Sequence, residues 1–471
     1  MAVVSTTARR STATEDRLAA YLKRRAWPLL ASVAFVGVGL FYFFSWSTVG
    51  RHRAHLWIMP SDIWTTYAAS AAVAHGHLDA VYGSGFLAYP GFLAVLAPLG
   101  ALSDMFSTTF IQLTSHGHLF AGTNVYAVHG TPTILYDGMK NGGNLYAVHQ
   151  GVFVMIAPVI LLLSCTALFA MDALAERLGV DRGRRAVLSA TEAVLMWSVT
   201  IVGGHPEDAL ALGVAIFALI WAFDDRFTGA GWLFGVAIAI QPLVIVLFPL
   251  LLVLGGMRRV LGLLVRGAAP AAAVVIGPLA ADFQATTHAL IDQPTFPNIP
   301  FNYRTLWTPL APHLSGQGAN RTVGGGPIRL VALAASAGIG WWSLRWRQRP
   351  EMIVWAAALA LALRVYTESV MLAYYTWPAL AVGVVIAARS TTRRFLAAVM
   401  VAVVTTVVGQ WQLSSLTWWG IQVVGVSALL ALTVSPGAPQ VTEGVASGPM
   451  SRTQGRVTES GRAGQKRSSA R

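Results

Sequence analysis

Charge is what this chain has least of. Charged residues fill only 11% of its 471 positions, against roughly 25% in a soluble domain. That deficit excludes an ordinary soluble protein. Hydrophobic residues supply 55%, in repeated runs near the ~20 residues a helix needs to cross a bilayer. The expectation is an all-α polytopic membrane protein. Cysteine is almost missing as well: one residue, Cys165, lies inside an apolar run. This excludes a disulfide framework or a thiolate metal site and leaves a small packing group. No nucleotide-binding glycine loop is visible. The start of the chain lacks the pattern of a cleaved signal, because residues 1–26 are polar and basic and the apolar run after Trp27 has no small-residue cleavage site.

What is present is basic charge, placed unevenly. A net charge of +13 would suit nucleic acid if it were spread over a surface. Instead Lys and Arg gather in short loops and both tails, as the positive-inside bias requires. Residues 1–26 read as a cytoplasmic basic tail, 27–434 as the transmembrane domain, and 435–471 as a disordered cytoplasmic tail rich in Ser, Gly and Thr. The layout has about twelve crossings, the first over 27–48. An amphipathic juxtamembrane helix over 62–76 follows, with Ile63, Tyr67, Ser70, Ala71 and Ala74 on one side, which fits a helix lying in the interface rather than crossing it. The run 86–102 holds Pro90 and Pro98 and reads as a re-entrant segment. On this layout only Arg51, Arg53, Lys140, Arg304, Arg321, Arg329 and Arg364 face outward.

Two long loops fall outside, 103–149 and 282–326. The first is rich in Gly, Asn, Thr and His and contains an echo, Asn124-Val125-Tyr126-Ala127-Val128-His129 and Asn144-Leu145-Tyr146-Ala147-Val148-His149. Two copies fall short of a solenoid.

The polar groups also fall on the outer face. Asp62, His77 and Tyr82 lie in the first outer loop. His205, Glu207 and Asp208 sit at a turn between two spans, and Gln241 breaks a short hairpin. Tyr303 and Arg304 belong to the second outer loop; Arg364, Glu368 and Tyr375 lie further on. Ionisable groups at membrane depth are costly and usually functional. This set suits sugar transfer from a lipid-linked phosphate. A carboxylate, Asp62, would deprotonate the acceptor hydroxyl. Arginines would hold the phosphate as leaving group, and aromatic faces would line sugar and lipid. Plainer readings stand beside these. Asp62 is also placed to cap a helix, and Arg364 and Glu368 are spaced to pair on one. His205, Glu207 and Asp208 have metal-donor types, but Pro206-Glu207-Asp208 is also an ordinary acidic first turn. No metal or other cofactor is expected.

Four patterns carry a family resemblance: Asp62 with Tyr67; the run from Gly76 to Tyr82, Tyr89-Pro90 and Ala97-Pro98-Leu99; the turn from Gly204 to Leu210; and the hairpin Gly235-Val236-Ala237-Ile238-Ala239-Ile240-Gln241-Pro242. Together they resemble the GT-C class of integral-membrane glycosyltransferases, particularly the actinobacterial polyprenyl-phosphate-mannose-dependent enzymes. The resemblance implies a polyprenyl-phosphate sugar donor, mannose above all, and a lipid or cell-wall glycan acceptor on the extracytoplasmic face of a plasma membrane. It also implies inversion at the sugar and no nucleic-acid partner. Gln241 stands where the family's hairpin often has Lys, which hands phosphate binding to Arg304, Arg329 or Arg364. A transporter or flippase for a lipid-linked substrate, and a non-catalytic envelope-assembly protein, are the alternatives.

Overall fold

The computed structural model describes residues 19–49, 57–79, 81, 89–102, 125–128, 131–136, 145–148, 150–291, 295–296, 303–316, 319–323, 328–411 and 413–434. Helix α1 spans Ala26–Val49, α2 Ser61–Ala74 and α3 Pro90–Gly100. Next come α4 Gln150–Ser164, α5 Thr166–Arg177, α6 Arg182–Trp197, α7 Pro206–Phe223 and α8 Phe227–Ile240. After a tight turn over Pro242–Leu247, α9 covers Phe248–Gly255, α10 Val260–Ala281 and α11 Phe283–Ile291. The last five are α12 Ile328–Ser343, α13 Pro350–Thr367, α14 Trp377–Ala387, α15 Thr392–Gly409 and α16 Ser415–Thr433.

Many of these helices begin where local chemistry permits a start. Pro90, Pro206 and Pro350 each open a helix, at the position where a missing N–H costs nothing. Asp181 and Thr391 accept backbone N–H bonds from Arg184 and Arg394 as N-caps.

Among the described residues, eight helical segments are long and apolar enough to cross a membrane. They are Ala26–Phe43, Val154–Arg177, Arg182–Val202, Pro206–Phe223, Met257–Ala281, Pro350–Thr367, Thr392–Gly409 and Leu416–Thr433. Shorter apolar helices lie at Pro90–Gly100, Phe227–Ile240, Pro242–Gly255 and Ala373–Ala387. This is the frame of a multi-pass helical membrane protein. The 11 residues of α3 extend only about 16 Å, about half a hydrocarbon core.

The helical frame follows the all-α expectation, and two small antiparallel sheets in the loops depart from it. One has strand order β1-β4-β3-β2, with β1 Trp57–Pro60, β2 Val125–Val128, β3 Thr131–Tyr136 and β4 Leu145–Val148. The echoed segments thus supply β2 and β4, which flank β3 through Val125 and Ala147 opposite Ile134. The other sheet orders β5 Thr295–Phe296, β7 Ala319–Val323 and β6 His313–Gly316. Segments this short give a period-2 signal too brief to separate from a polar loop.

One end of the bundle is locked by charge. Asp172 on α5 is fully buried. It accepts from Arg185 Nε at 2.8 Å and Nη2 at 2.6 Å, and from Arg25 Nη1 at 2.6 Å. Arg177 reaches Asp224, and Arg184 caps the carbonyls of Ala388 and Ser390 beyond α14. These bonds join α1, α5, α6 and the far end of α14 at the basic face.

Candidate active site

The opposite end holds the acidic turn. Helix α6 widens into a π turn over Ser198–Val202, the kind of bulge frequent near functional sites. Gly203 and Gly204 then reverse the chain, Gly204 in the left-handed region at φ +70° where a side chain is disfavoured. A Cβ on Gly203 would come within 2.9 Å of the Tyr374 ring. The bare glycine lets that ring lie 4.4 Å from the imidazole of His205. His205 precedes Pro206, and Glu207 and Asp208 fill the acidic first turn of α7, where the helix dipole favours negative charge.

Asp62 reaches this turn from the other direction. It stands in the first turn of α2, with its side chain 43% exposed. The rest of that helix side is not left to the membrane interface. Ile63, Tyr67, Ser70 and Ala71 are buried because α2 packs closely on α3. Cβ atoms built on Gly100 and Gly91 would strike the backbones of Ser70–Ala71 and Ala239–Ile240. The small residues on this side of 62–76 are there for helix–helix approach. Gly76, at φ +78°, ends the helix, and His77 N–H returns to the carbonyl of Ala72 at 2.9 Å as in a Schellman stop.

The side chains meet in two linked groups. In the first, His205 Nε2 lies 3.1 Å from Asp62 Oδ2 and its Nδ1 lies 2.7 Å from Glu207 Oε1. In the second, Asp208 accepts from Gln241 Nε2 at 2.6 Å and faces Arg364 Nη1 at 3.7 Å. The Arg364 guanidinium covers the Tyr375 ring, 3.2 Å from its centroid, a cation–π placement. Glu368 sits 3.7 Å from Arg364 Nε and 3.8 Å from Arg329 Nε. Both gaps exceed hydrogen-bond length, and both buried Nε atoms lack a hydrogen-bond partner among the described residues.

The segment around 303–308 is clamped over this end. Thr305 and Thr308 hydroxyls donate to the carbonyls of Glu368 and Ser369 at 2.9 and 2.6 Å, and Trp307 Nε1 donates to the carbonyl of Tyr366. Met371 N–H donates to the carbonyl of Tyr303. Burial raises the Tyr303 phenol pKa, helped by the charge of Asp62 and by Tyr375. Burial also raises Glu368, although Arg329 and Arg364 pull the other way. At His205 burial opposes the imidazolium, but Glu207 and Asp62 outweigh it and hold the pKa well above the ordinary value.

Of the sequence candidates, Asp62, His205, Glu207, Asp208, Gln241, Arg364, Glu368 and Tyr375 thus belong to one connected set, with Tyr303 beside it. Tyr67 is buried on α2, one turn from Ile63. His77 is exposed at the far end of α2, about 20 Å along the axis from Asp62, and is not brought into the set. The Arg304 side chain is exposed, and its backbone bridges to Val370. Tyr82 lies outside the described residues. Two contributors had weaker sequence signals: Tyr374, grouped only with outer-face aromatics, and Arg329, one of three cation options. Glu192, buried in α6 with Oε1 unpartnered among the described residues, was marked in sequence only by standing in an apolar run. No group of three or more His, Cys, Asp and Glu residues is arranged to hold a metal ion among the described residues.

Fold and site together define a multi-pass helical membrane protein with a charged, partly buried cluster at one end of its bundle. No family model matches the chain, and no curated protein matches it.

Proposed function

We propose that this chain is a GT-C-like membrane glycosyltransferase that moves a sugar, mannose first among candidates, from a polyprenyl phosphate to a lipid or cell-wall glycan. The observation that carries the reading is the meeting of Asp62 with His205 on one side and of Asp208, Arg364, Glu368 and Arg329 on the other. A base and a pair of cations in one cluster are the two halves such a transfer requires.

In this reading Asp62 takes the proton of the acceptor hydroxyl as its oxygen bonds to the anomeric carbon. The bond from that carbon to the donor phosphate breaks, and its electron pair leaves with the phosphate. One displacement inverts the centre. Arg364 and Arg329 receive the leaving phosphate through guanidinium N–H groups that Glu368 faces at distances longer than hydrogen bonds. Tyr374 and Tyr375 offer faces to sugar or lipid. Gln241 donates to Asp208, leaving the guanidiniums as the phosphate-facing charges.

The reading includes topology. Twelve crossings, with the Arg185–Asp172 end cytoplasmic and the Asp62 end outside, follow the positive-inside bias. A transporter is less well supported, because the charges sit at helix ends and not at mid-membrane. The test supplies membranes carrying the protein with radiolabelled polyprenyl-phosphate sugars and a lipid extract as acceptor. Label transferred above vector-only membranes is expected. No transfer from any such donor would count against the enzyme reading.

A further inference from the structure

The Asp62–His205–Glu207 row imposes a proton count that neither carboxylate fixes alone. A neutral imidazole has one donor and one acceptor nitrogen. Here both nitrogens face carboxylate oxygens, at 3.1 and 2.7 Å. A neutral ring between two carboxylates would set a lone pair against an oxygen at one of these contacts. The row must therefore hold one proton beyond that state. A cation on the ring is attracted from both sides, whereas a proton on Glu207 would leave Asp62 facing a neutral ring.

We propose that His205 is a positioning residue that stays an imidazolium through the reaction, donating Nε2–H to Asp62 and Nδ1–H to Glu207, so that Asp62 is aimed and kept ionised as the base. The proposal rests on the glycosyl-transfer reading for what Asp62 does, and on geometry alone for the state of the ring. The titratable groups facing His205 are Asp62 from α2, Glu207 from the helix it precedes, and Tyr374 from the turn before α14. Asp208 is next along that helix and is turned toward Gln241 and Arg364. Asp62, Glu207, Tyr374 and Asp208 are all acids, so each favours a cation on the ring when ionised. Balance of charge and burial at this ring also raises its pKa. Glu207 is 4% exposed, and its Oε2 has no hydrogen-bond partner among the described residues. Its charge is thus compensated chiefly by the ring, so His205 and Glu207 form a unit that Asp62 joins from a different helix.

The proton balance is explicit. The acceptor's proton goes to Asp62 as the new C–O bond forms. It leaves from Asp62 to water, since that side chain is 43% exposed. His205 neither gains nor loses a proton.

The test uses the full-length protein in lipid nanodiscs with ¹⁵N-labelled imidazoles. Of the 11 histidines, one ring should remain protonated at both nitrogens at pH 8.5. That signal should vanish in His205→Gln and become a singly protonated ring in Glu207→Gln. Spectra in which every ring is singly protonated at pH 8.5 overturn the proposal, even if the variants fail to fold. In the transfer assay, His205→Gln should lower kcat about 10- to 100-fold, the scale of a misaimed group, with donor KM nearly unchanged. Unchanged kcat would also overturn it. A doubly protonated ring without any transfer would sink the enzyme reading and leave the proton count intact. Transfer with a neutral ring would do the reverse.

Discussion

Asp172→Asn tests the lock at the basic end of the bundle. The Asp172 side chain is 0% exposed, and its partners Arg185 and Arg25 are 8% and 12% exposed. Both carboxylate oxygens are used, one by Arg185 Nε and the other by Arg185 Nη2 and Arg25 Nη1. Asparagine keeps one acceptor oxygen but turns an N–H₂ group toward guanidinium donors. Glu176, at 3.3 Å from Arg185 Nη1 and 2.7 Å from Arg25 Nη2, then holds the one carboxylate paired with these cations among the described residues. Removing one partner of a buried pair costs about 3–5 kcal/mol, and Glu176 places this case toward the lower figure. The control is Arg24→Ala: that arginine is 61% exposed in its pair with Glu176, and such pairs contribute about 0–1 kcal/mol. Denaturant unfolding of both variants in the same detergent, followed by tryptophan fluorescence, gives the comparison. An Asp172→Asn loss no larger than that of Arg24→Ala would refute the reasoning that this buried pair ties the helices together.

Other outcomes follow from the site. Arg364→Lys keeps a charge but loses the planar stack on Tyr375, so donor KM should rise about tenfold, worth ~1.4 kcal/mol; donor titration in the transfer assay checks it. Gly203→Ala should push the Tyr374 ring away from His205 and cost about 1–3 kcal/mol of overpacking, measured by thermal unfolding. Because folding raises the His205 pKa above its ordinary 6.5, its stabilisation is fully present below that pH and fades as pH rises through the folded value. The stability gap between wild type and His205→Gln should therefore narrow at high pH; a gap that widened would contradict the sign. A cysteine placed at position 120 should react with an impermeant reagent from outside intact cells, as the proposed sidedness requires.

The sequence made the membrane frame readable because apolar runs and basic loops are one-dimensional signals. The break at Gln241-Pro242 and the short helix at Pro90–Gly100 were likewise written locally, by proline and by length. Sidedness alone grouped Asp62 with His205, Glu207 and Arg364. Their pairing was not readable, because nothing local tells Asp62 that its partner is 143 positions away and His205 that its ring sits between two acids. Tyr374 was obscured for a related reason: its role depends on Gly203, a residue in another turn whose lack of a side chain makes the stack possible. The packing partner of α2 was not readable, because Ser70 and Ala71 look alike whether they meet lipid headgroups or a neighbouring glycine. Only the close approach of Gly100 separates the two.

Asp62→Asn measured against wild type in the transfer assay bears most directly on the central claim. Asparagine is nearly isosteric and still accepts from His205, but it takes no proton. With the donor that wild type uses, kcat should fall about 10²- to 10⁴-fold, the contribution of a general base, while donor KM changes little. Transfer at the wild-type rate by a folded Asp62→Asn protein would contradict the account.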